Sequence, residues 1–499
     1  MTKQKNVLII MSDEQRVDSL GCYGNQQART PYLDKLAANG ARFRHCVTPY
    51  PLCCPARSSL WTGTLPHQHH VVANWFHIRE ELRDTGMIHD FSAAGYQTLY
   101  VGKWHVPGTT PKRLGFSRWA AIPAVLNGCD RGRYIEDYRA FATARGYDLL
   151  PNMIENLTAN DIKQRINDGP VHCGTAEIKL EDYLETWQTN QLLDQMEQLA
   201  PDQPFFTVCS YNAPHFPMIV PEPYDRLIPP QDVVLPANRG KGIAGKPAEV
   251  LQSEDYQHTK DFTEQQWREL TAHYWGFCAL VDDQVGRIVR WLKEHGQYEN
   301  TIIVYLSDHG DMLGSHNLNH KSGLMQYEET NLVPLIISGP GIEGGQDRDM
   351  LVSLADVMPT LAELCEIPIA TPAYGRSFAA PLLDGKDSFR THVVSEGFAR
   401  CHSGTGTYED PRQYTLEQNR PFVFAVRTEK DKYIFHQEDI EEYYDLQNDP
   451  GENENLASAP QVQARLMQLR RLMLKQLEDI PSLHKIVCHQ LDAAGVLPS

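Results

Sequence analysis

The chain has 499 residues, enough for a large domain with a smaller one beside it, and its 41% hydrophobic and 22% charged content is that of a soluble globular protein. A net charge of −18 argues against a general nucleic-acid or anionic-membrane surface, because phosphate-rich partners need basic faces; a basic pocket inside an acidic body stays open. There is no secretory pattern at the N-terminus and no apolar run long enough to span a bilayer. With 11 cysteines in no framework spacing, these features point to free, mostly buried thiols in a reducing, cytoplasmic setting.

Taken in chain order, "NVLIIM" at 6–11 reads as a buried parallel strand that ends at Ser12-Asp13-Glu14. Helices are predicted over 31–39, stopped by Gly40, over 55–62 and through about 80–94. "YQTLYVGKWH" is strand running into loop, "AEIKLEDYLETWQTNQLLDQMEQLA" is helical, and "PFFTVCSYN" is the next strand. Residues 213–262, rich in proline and polar residues, form an irregular excursion, followed by a long helix over about 263–295. "NTIIVYLSDHG" and "LVPLIISGPG" supply further strands. Strands alternating with helices imply an α/β architecture on a mostly parallel sheet. From about Thr391 the pattern changes to short strands and a final helix over 461–477, so a main domain over 1–385 and an α+β subdomain over 386–499 are expected.

In open α/β sheets, sites form beyond the carboxyl ends of the strands. Asp13-Glu14, Asn212–His215 and Asp308-His309 all occupy such ends. Carboxylates there suit a hard divalent cation, although acidic residues also flank turns after strands for no chemical reason. Lys103 and His105 alternate onto one side of an extended segment, where they can face an anion or simply solvent. His215 sits between prolines that restrict the backbone, fitting either a fixed proton donor or a packed histidine. Lys321 is a weaker signal, since most lysines are surface charges. His67, His69 and His70 lack carboxylate or cysteine company and read as surface or rim residues. Cys53 lies at a helix start, with Pro55 in the first turn and Arg57 one turn in. A low-pKa thiolate and a buried inert cysteine both fit.

With these residues assembled, the chain resembles the formylglycine-dependent (type I) sulfatases of the alkaline phosphatase superfamily. "LCCPAR" fits the pattern L-C-x-P-x-R, and "SDEQRVDSLGCYG", "GKWH", "PHFP", "SDHGDMLGSH" with Lys321, and "YYDLQNDPGENENLA" follow in order. The resemblance implies a three-layer α/β/α sandwich with a large, mostly parallel mixed sheet and a smaller C-terminal α+β subdomain with a small antiparallel sheet. It implies that Cys53, not Cys54, is converted to Cα-formylglycine by a formylglycine-generating or anaerobic sulfatase-maturating enzyme. Asp13, Asp308 and His309, with the modified Cys53, would hold one Ca²⁺, with Mg²⁺ or Mn²⁺ as alternatives. Glu14, where many members have a second aspartate, would be a further ligand.

The same resemblance gives the hydrated aldehyde two hydroxyls: one attacks sulfur, and collapse of the other expels sulfate. His105 would accept the proton of that second hydroxyl. His215 and Lys321 would contact sulfate and protonate the leaving oxygen, while Arg57 and Lys103 would hold the formylglycine oxygens. The substrate implied is a small organic or carbohydrate sulfate monoester, cleaved by a sulfuric ester hydrolase, with no nucleic-acid or membrane partner and oligomerisation left open. Rim loops would set specificity, with Trp75, His77, Arg131, Arg133 and His402 as substrate contacts. A phosphonate monoester or phosphodiester hydrolase of the same superfamily is the alternative. Against it, such enzymes carry uncharged hydroxyl residues where this chain has Lys103 and His105. A two-zinc phosphatase would need more His and Asp ligands than the motifs supply, and a non-catalytic binder would not need so complete a set.

Overall fold

The computed structural model describes residues 4–74, 76–122, 133–149, 173–369, 374–398 and 421–496. Its strands up to the middle of the chain are β1 (Asn6–Ser12), β2 (Gly40–Val47), β3 (Gln97–Lys103), β4 (Arg118–Ile122), β5 (Cys173–Thr175), β6 (Phe205–Ser210) and β7 (Met218–Val220). There follow β8 (Thr301–Ser307), β9 (Leu335–Ser338), β10 (Gln346–Ser353), β11 (Val393–Phe398), β12 (Phe422–Arg427), β13 (Asp431–His436) and β14 (Glu442–Asp445).

Eight strands form the central sheet in the order β10-β2-β9-β8-β1-β6-β3-β4, while β5 and β7 pair separately. Strand β9 runs antiparallel to both neighbours, and every other pair in the large sheet is parallel. Strand β1 lies between β8 and β6 with both faces covered, which is why its sequence is a continuous apolar run rather than an alternation. Successive side chains point to opposite faces. Leu8 and Ile10 join a core with Trp187 of helix Leu184–Met196 and with Tyr274 and Val281 of helix Glu264–Glu294. Val7, Ile9 and Met11 face a second core containing Trp61 of helix Cys53–Thr62 and Leu361 of helix Val357–Leu364. Helices on both faces of a mixed sheet make the expected three-layer sandwich.

A second, four-stranded antiparallel sheet, β11-β12-β13-β14, packs against helices Gln463–Gln476 and Pro481–Ala493. Tyr50 and Leu52, just ahead of the Cys53 helix, share its apolar cluster. Phe398 donates its backbone N–H to the Tyr50 hydroxyl at 2.9 Å, so this sheet braces the loop that delivers Cys53.

Several elements differ from the sequence reading. The span over 80–94 contains a short 3₁₀ turn, Glu80–Leu82, and a helix only from Met87 to Ala93, because Gly86 is extended and starts a new element. The pattern beginning at Ala176 becomes regular α-helix only at Leu184. Strands β2 and β10 escaped notice because Arg42, Arg44 and the acidic residues of "QDRDMLVS" break their apolar pattern. Helix Pro481–Ala493 was also missed.

Candidate active site

Helix Cys53–Thr62 begins two residues before Pro55, with Leu52 as its extended N-cap, and all ten of its residues are buried. Pro55 falls in the first turn, where a missing N–H costs nothing. Gly63 ends the helix in the left-handed conformation, with φ 66°. Cys53 Sγ therefore sits at the positive end of a short helix, beside the carboxyl ends of β1 and β8. It lies 3.7 Å from Asp13 Oδ1 and 3.2 Å from His309 Nε2. Burial, and then the charge of Asp13, push the thiol up to about 12 despite Lys103 and Lys321. The protein matrix alone does not make a thiolate here.

Asp13 and Asp308 are held by one side chain. Arg57 donates from Nη2 to Asp13 Oδ2 and from Nε to Asp308 Oδ2, both at 2.7 Å. Its Nη1 donates to the Lys103 carbonyl and to Ser210 Oγ, each at 2.8 Å. Four of its five N–H donors are committed in this way, so Arg57 positions the two carboxylates. Lys103, the last residue of β3, reaches Asp13 Oδ2 at 2.8 Å. Burial opposes ionisation of Asp13, but Lys103 and Arg57 overcome it and hold the carboxyl well below its ordinary range.

The three histidines differ. Burial, then Lys103 and Arg57, keep His105 well below its usual pKa, and its Nδ1 has no hydrogen-bond partner among the described residues. It is thus a neutral imidazole among cations. His215 Nδ1 donates to the Phe216 carbonyl at 2.6 Å, leaving Nε2 to accept from Lys321 Nζ at 2.9 Å. Burial and Lys321 likewise depress it. His309 Nδ1 donates to the Gly310 carbonyl at 2.9 Å, so its Nε2 lone pair faces Cys53 Sγ. Burial disfavours the Lys321 ammonium, but Glu14 at 2.5 Å more than restores it.

Asp13, Cys53, Asp308 and His309 each present one donor atom, all within 4.8 Å of one another and all buried. Two carboxylate oxygens and an imidazole whose tautomer is set by its outer hydrogen bond suit a divalent cation. Glu14 is not in that group. Its backbone, in the left-handed region at φ 63°, donates to Asp308 Oδ1 at 3.1 Å, while its side chain turns to Lys321. Lys321 Nζ, 2.5 Å from Glu14 Oε2, is the charge that most favours ionisation of this buried carboxyl.

Among the rim residues, Trp75, Arg131 and His402 lie outside the described residues, and Arg133 opens helix Arg133–Ala144 with its side chain outside them. His77 is half-buried and packs against Gly108. His67 and His69 are not surface groups. His67 Nδ1 pairs with Glu396 Oε1 at 2.5 Å, and His69 Nε2 lies 2.9 Å from Ser59 Oγ, both fully inside the fold. Sequence reading also passed over Asp311, Ser210 and His320. Asp311, in "SDHGDM", carried the one available signal, a third acidic residue just past a strand end.

A family model described as "Sulfatase" matches residues 5–367, and one described as "N-sulphoglucosamine sulphohydrolase, C-terminal" matches residues 314–479. The chain is 29% identical over 490 residues to an arylsulfatase of Clostridium perfringens, covering 95% of this chain and 94% of that one. It is 28% identical to a choline-sulfatase of Rhizobium meliloti, covering 92% and 83%. A solved phosphonate monoester hydrolase from Silicibacter pomeroyi superposes with a TM-score of 0.77 at 25% identity, covering 95% of each chain. Matched in this way over most of its length, the chain belongs to the sulfatase family of the alkaline phosphatase superfamily and is a hydrolase of sulfate esters.

Proposed function

We propose that this sulfatase cleaves a small sulfate monoester with a hydrated formylglycine derived from Cys53 as nucleophile and one divalent cation held by Asp13, Asp308 and His309. The observation that carries the reading is the convergence of these four donors at the N-terminus of helix Cys53–Thr62, where Cys53 Sγ stands in for the formylglycine oxygens. Bound there, Ca²⁺, or Mg²⁺ or Mn²⁺, would supply Lewis acidity towards the sulfate and nucleophile oxygens. Lys103 and Lys321 offer ammonium groups to the sulfate anion. Neutral His105 can take a proton from a hydroxyl of the hydrate. The 2.9 Å contact between Lys321 and His215 can deliver one to the departing oxygen. Arg57 keeps both aspartates in place.

Relatives named arylsulfatase, choline-sulfatase and N-acetylglucosamine-6-O-sulfatase support a small aryl, choline or sugar sulfate as substrate. The net charge of −18 disfavours long polyanionic chains. We further propose a catalytic unit over 1–385 with a subdomain over 386–499, a cytoplasmic setting, and maturation by a formylglycine-generating or anaerobic maturating enzyme. Phosphonate monoester turnover is the second reading, supported by the fold likeness to the Silicibacter pomeroyi enzyme. Mass spectrometry of the Cys53 peptide, with assays on aryl, choline and sugar sulfates and a phosphonate monoester, tests both. A formyl peptide with sulfate turnover is expected. An intact thiol in active protein overturns the nucleophile, and phosphonate turnover well above every sulfate favours the second reading.

A further inference from the structure

Beside the four-donor group lies another, formed by Glu14, Asp311 and His320. Among the described residues, three buried polar atoms have no hydrogen-bond partner here: Glu14 Oε1, Asp311 Oδ2 and His320 Nδ1. His320 Nδ1 is 3.8 Å from each of the two carboxylate oxygens. That separation is too long for a hydrogen bond, but two ligands each about 2.1 Å from a shared ion sit about 3–4 Å apart. The remaining carboxylate oxygens are already committed. Asp311 Oδ1 accepts the Leu313 N–H at 2.6 Å, and Glu14 Oε2 accepts from Lys321 at 2.5 Å. The Phe216 ring, with its centroid 3.9 Å from that of His320, fixes the imidazole.

We propose that Glu14, Asp311 and His320 form a second divalent-cation site, next to the one proposed at Cys53. Two carboxylate oxygens with an imidazole nitrogen suit a divalent cation, as they do at the first site, and Mn²⁺ accepts both kinds of ligand. The ion offsets the adjacent Glu14 and Asp311 charges in a site from which water is excluded. Since Glu14 is shared with Lys321, occupancy also fixes the ammonium that contacts His215. A proton on His320 is the competing occupant. The site does not depend on modification of Cys53.

The test is the full-length protein, freed of metal, equilibrated with Mn²⁺ and analysed for bound metal by mass spectrometry. Two ions per chain are expected for the wild type and one each for Asp311→Asn and His320→Gln. One ion in the wild type, or two in either variant, overturns the proposal. Crystals of the wild type grown with Mn²⁺ settle the matter if a variant fails to fold. An anomalous peak among Glu14, Asp311 and His320 is expected, and its absence overturns the site. A peak at Asp13, Asp308 and His309 reports separately on the first cation.

Discussion

The Nε–H of Arg57 donates to Asp308 Oδ2 at 2.7 Å with both side chains wholly buried, and the same guanidinium reaches Asp13 at the same distance. One cation thus spans the ends of two neighbouring strands, β1 and β8, and sets the spacing of two carboxylates before any ligand arrives. The planar fork of arginine makes this geometry available, whereas a lysine would supply a single point charge.

Removing that fork has a definite expected cost. Arg57→Ala leaves Asp308 buried without its cation and Asp13 with Lys103 alone, so the metal-free protein should lose about 3–5 kcal/mol of stability. Divalent-cation affinity should fall about 10–100-fold because the ligands lose their support. Arg57→Lys should recover part of the stability but little of the affinity. Denaturant unfolding and metal titration check both, and unchanged affinity in Arg57→Ala would rule out the positioning role.

The adjacent cysteines should behave differently. Cys53→Ala is expected to abolish sulfate-ester turnover, whereas Cys54→Ala should keep most of it. Cys54 is buried with its Sγ 3.4 Å from the Asn74 carbonyl, so its truncation should cost about 1 kcal/mol of stability through packing alone. Equal losses of turnover in the two variants would reverse the assignment. In protein whose Cys53 is unmodified, the thiol, raised to about 12, should resist alkylation at pH 8 while the fold is intact.

A pH effect on stability follows from Glu185, which is buried beneath the His215 loop and accepts the Ala213 N–H at 3.0 Å. Burial raises its pKa from 4.5 to about 7, against the backbone donors. The folded state therefore keeps a proton that the unfolded chain has already released. Its contribution is fully present below about pH 4.5, declines as pH rises, and is lost above about pH 7, a swing of about 3 kcal/mol. Glu185→Gln keeps the acceptor and removes the titration. Urea unfolding at pH 5 and pH 8 should show a smaller drop in the variant than in the wild type. Identical drops would mean that Glu185 is ionised in the native state.

Gly102, immediately before Lys103, has φ +108°, and a Cβ there would come within 2.0 Å of the Ser210 carbonyl oxygen on β6. Gly102→Ala should therefore cost on the order of 3 kcal/mol, since strain and clash add and the obstacle is backbone rather than a flexible side chain. Thermal unfolding measures this, and a melting temperature within a degree or two of wild type would contradict it.

Features governed by nearest neighbours were legible from the residues alone. "NVLIIM" announced a buried strand, and Thr263 with Gln266 caps the long helix where its apolar spacing begins. Asp13, Asp308, Cys53 and Lys103 were recognisable because each follows or opens a regular element. Strands β2 and β10, with charges inside their patterns, were not, since their place in the sheet depends on partners far along the chain.

The residue types at the strand ends, their order and the family pattern that they match were thus determined by the sequence itself. Tertiary structure alone decided what each side chain does. It turned Arg57 onto the carboxylates, sent Glu14 to Lys321 beside Asp311 and His320, and buried His67 against Glu396. Pairing of charges depends on through-space distance and on how completely water is removed around them, and neither quantity exists until separate segments of the chain have packed together.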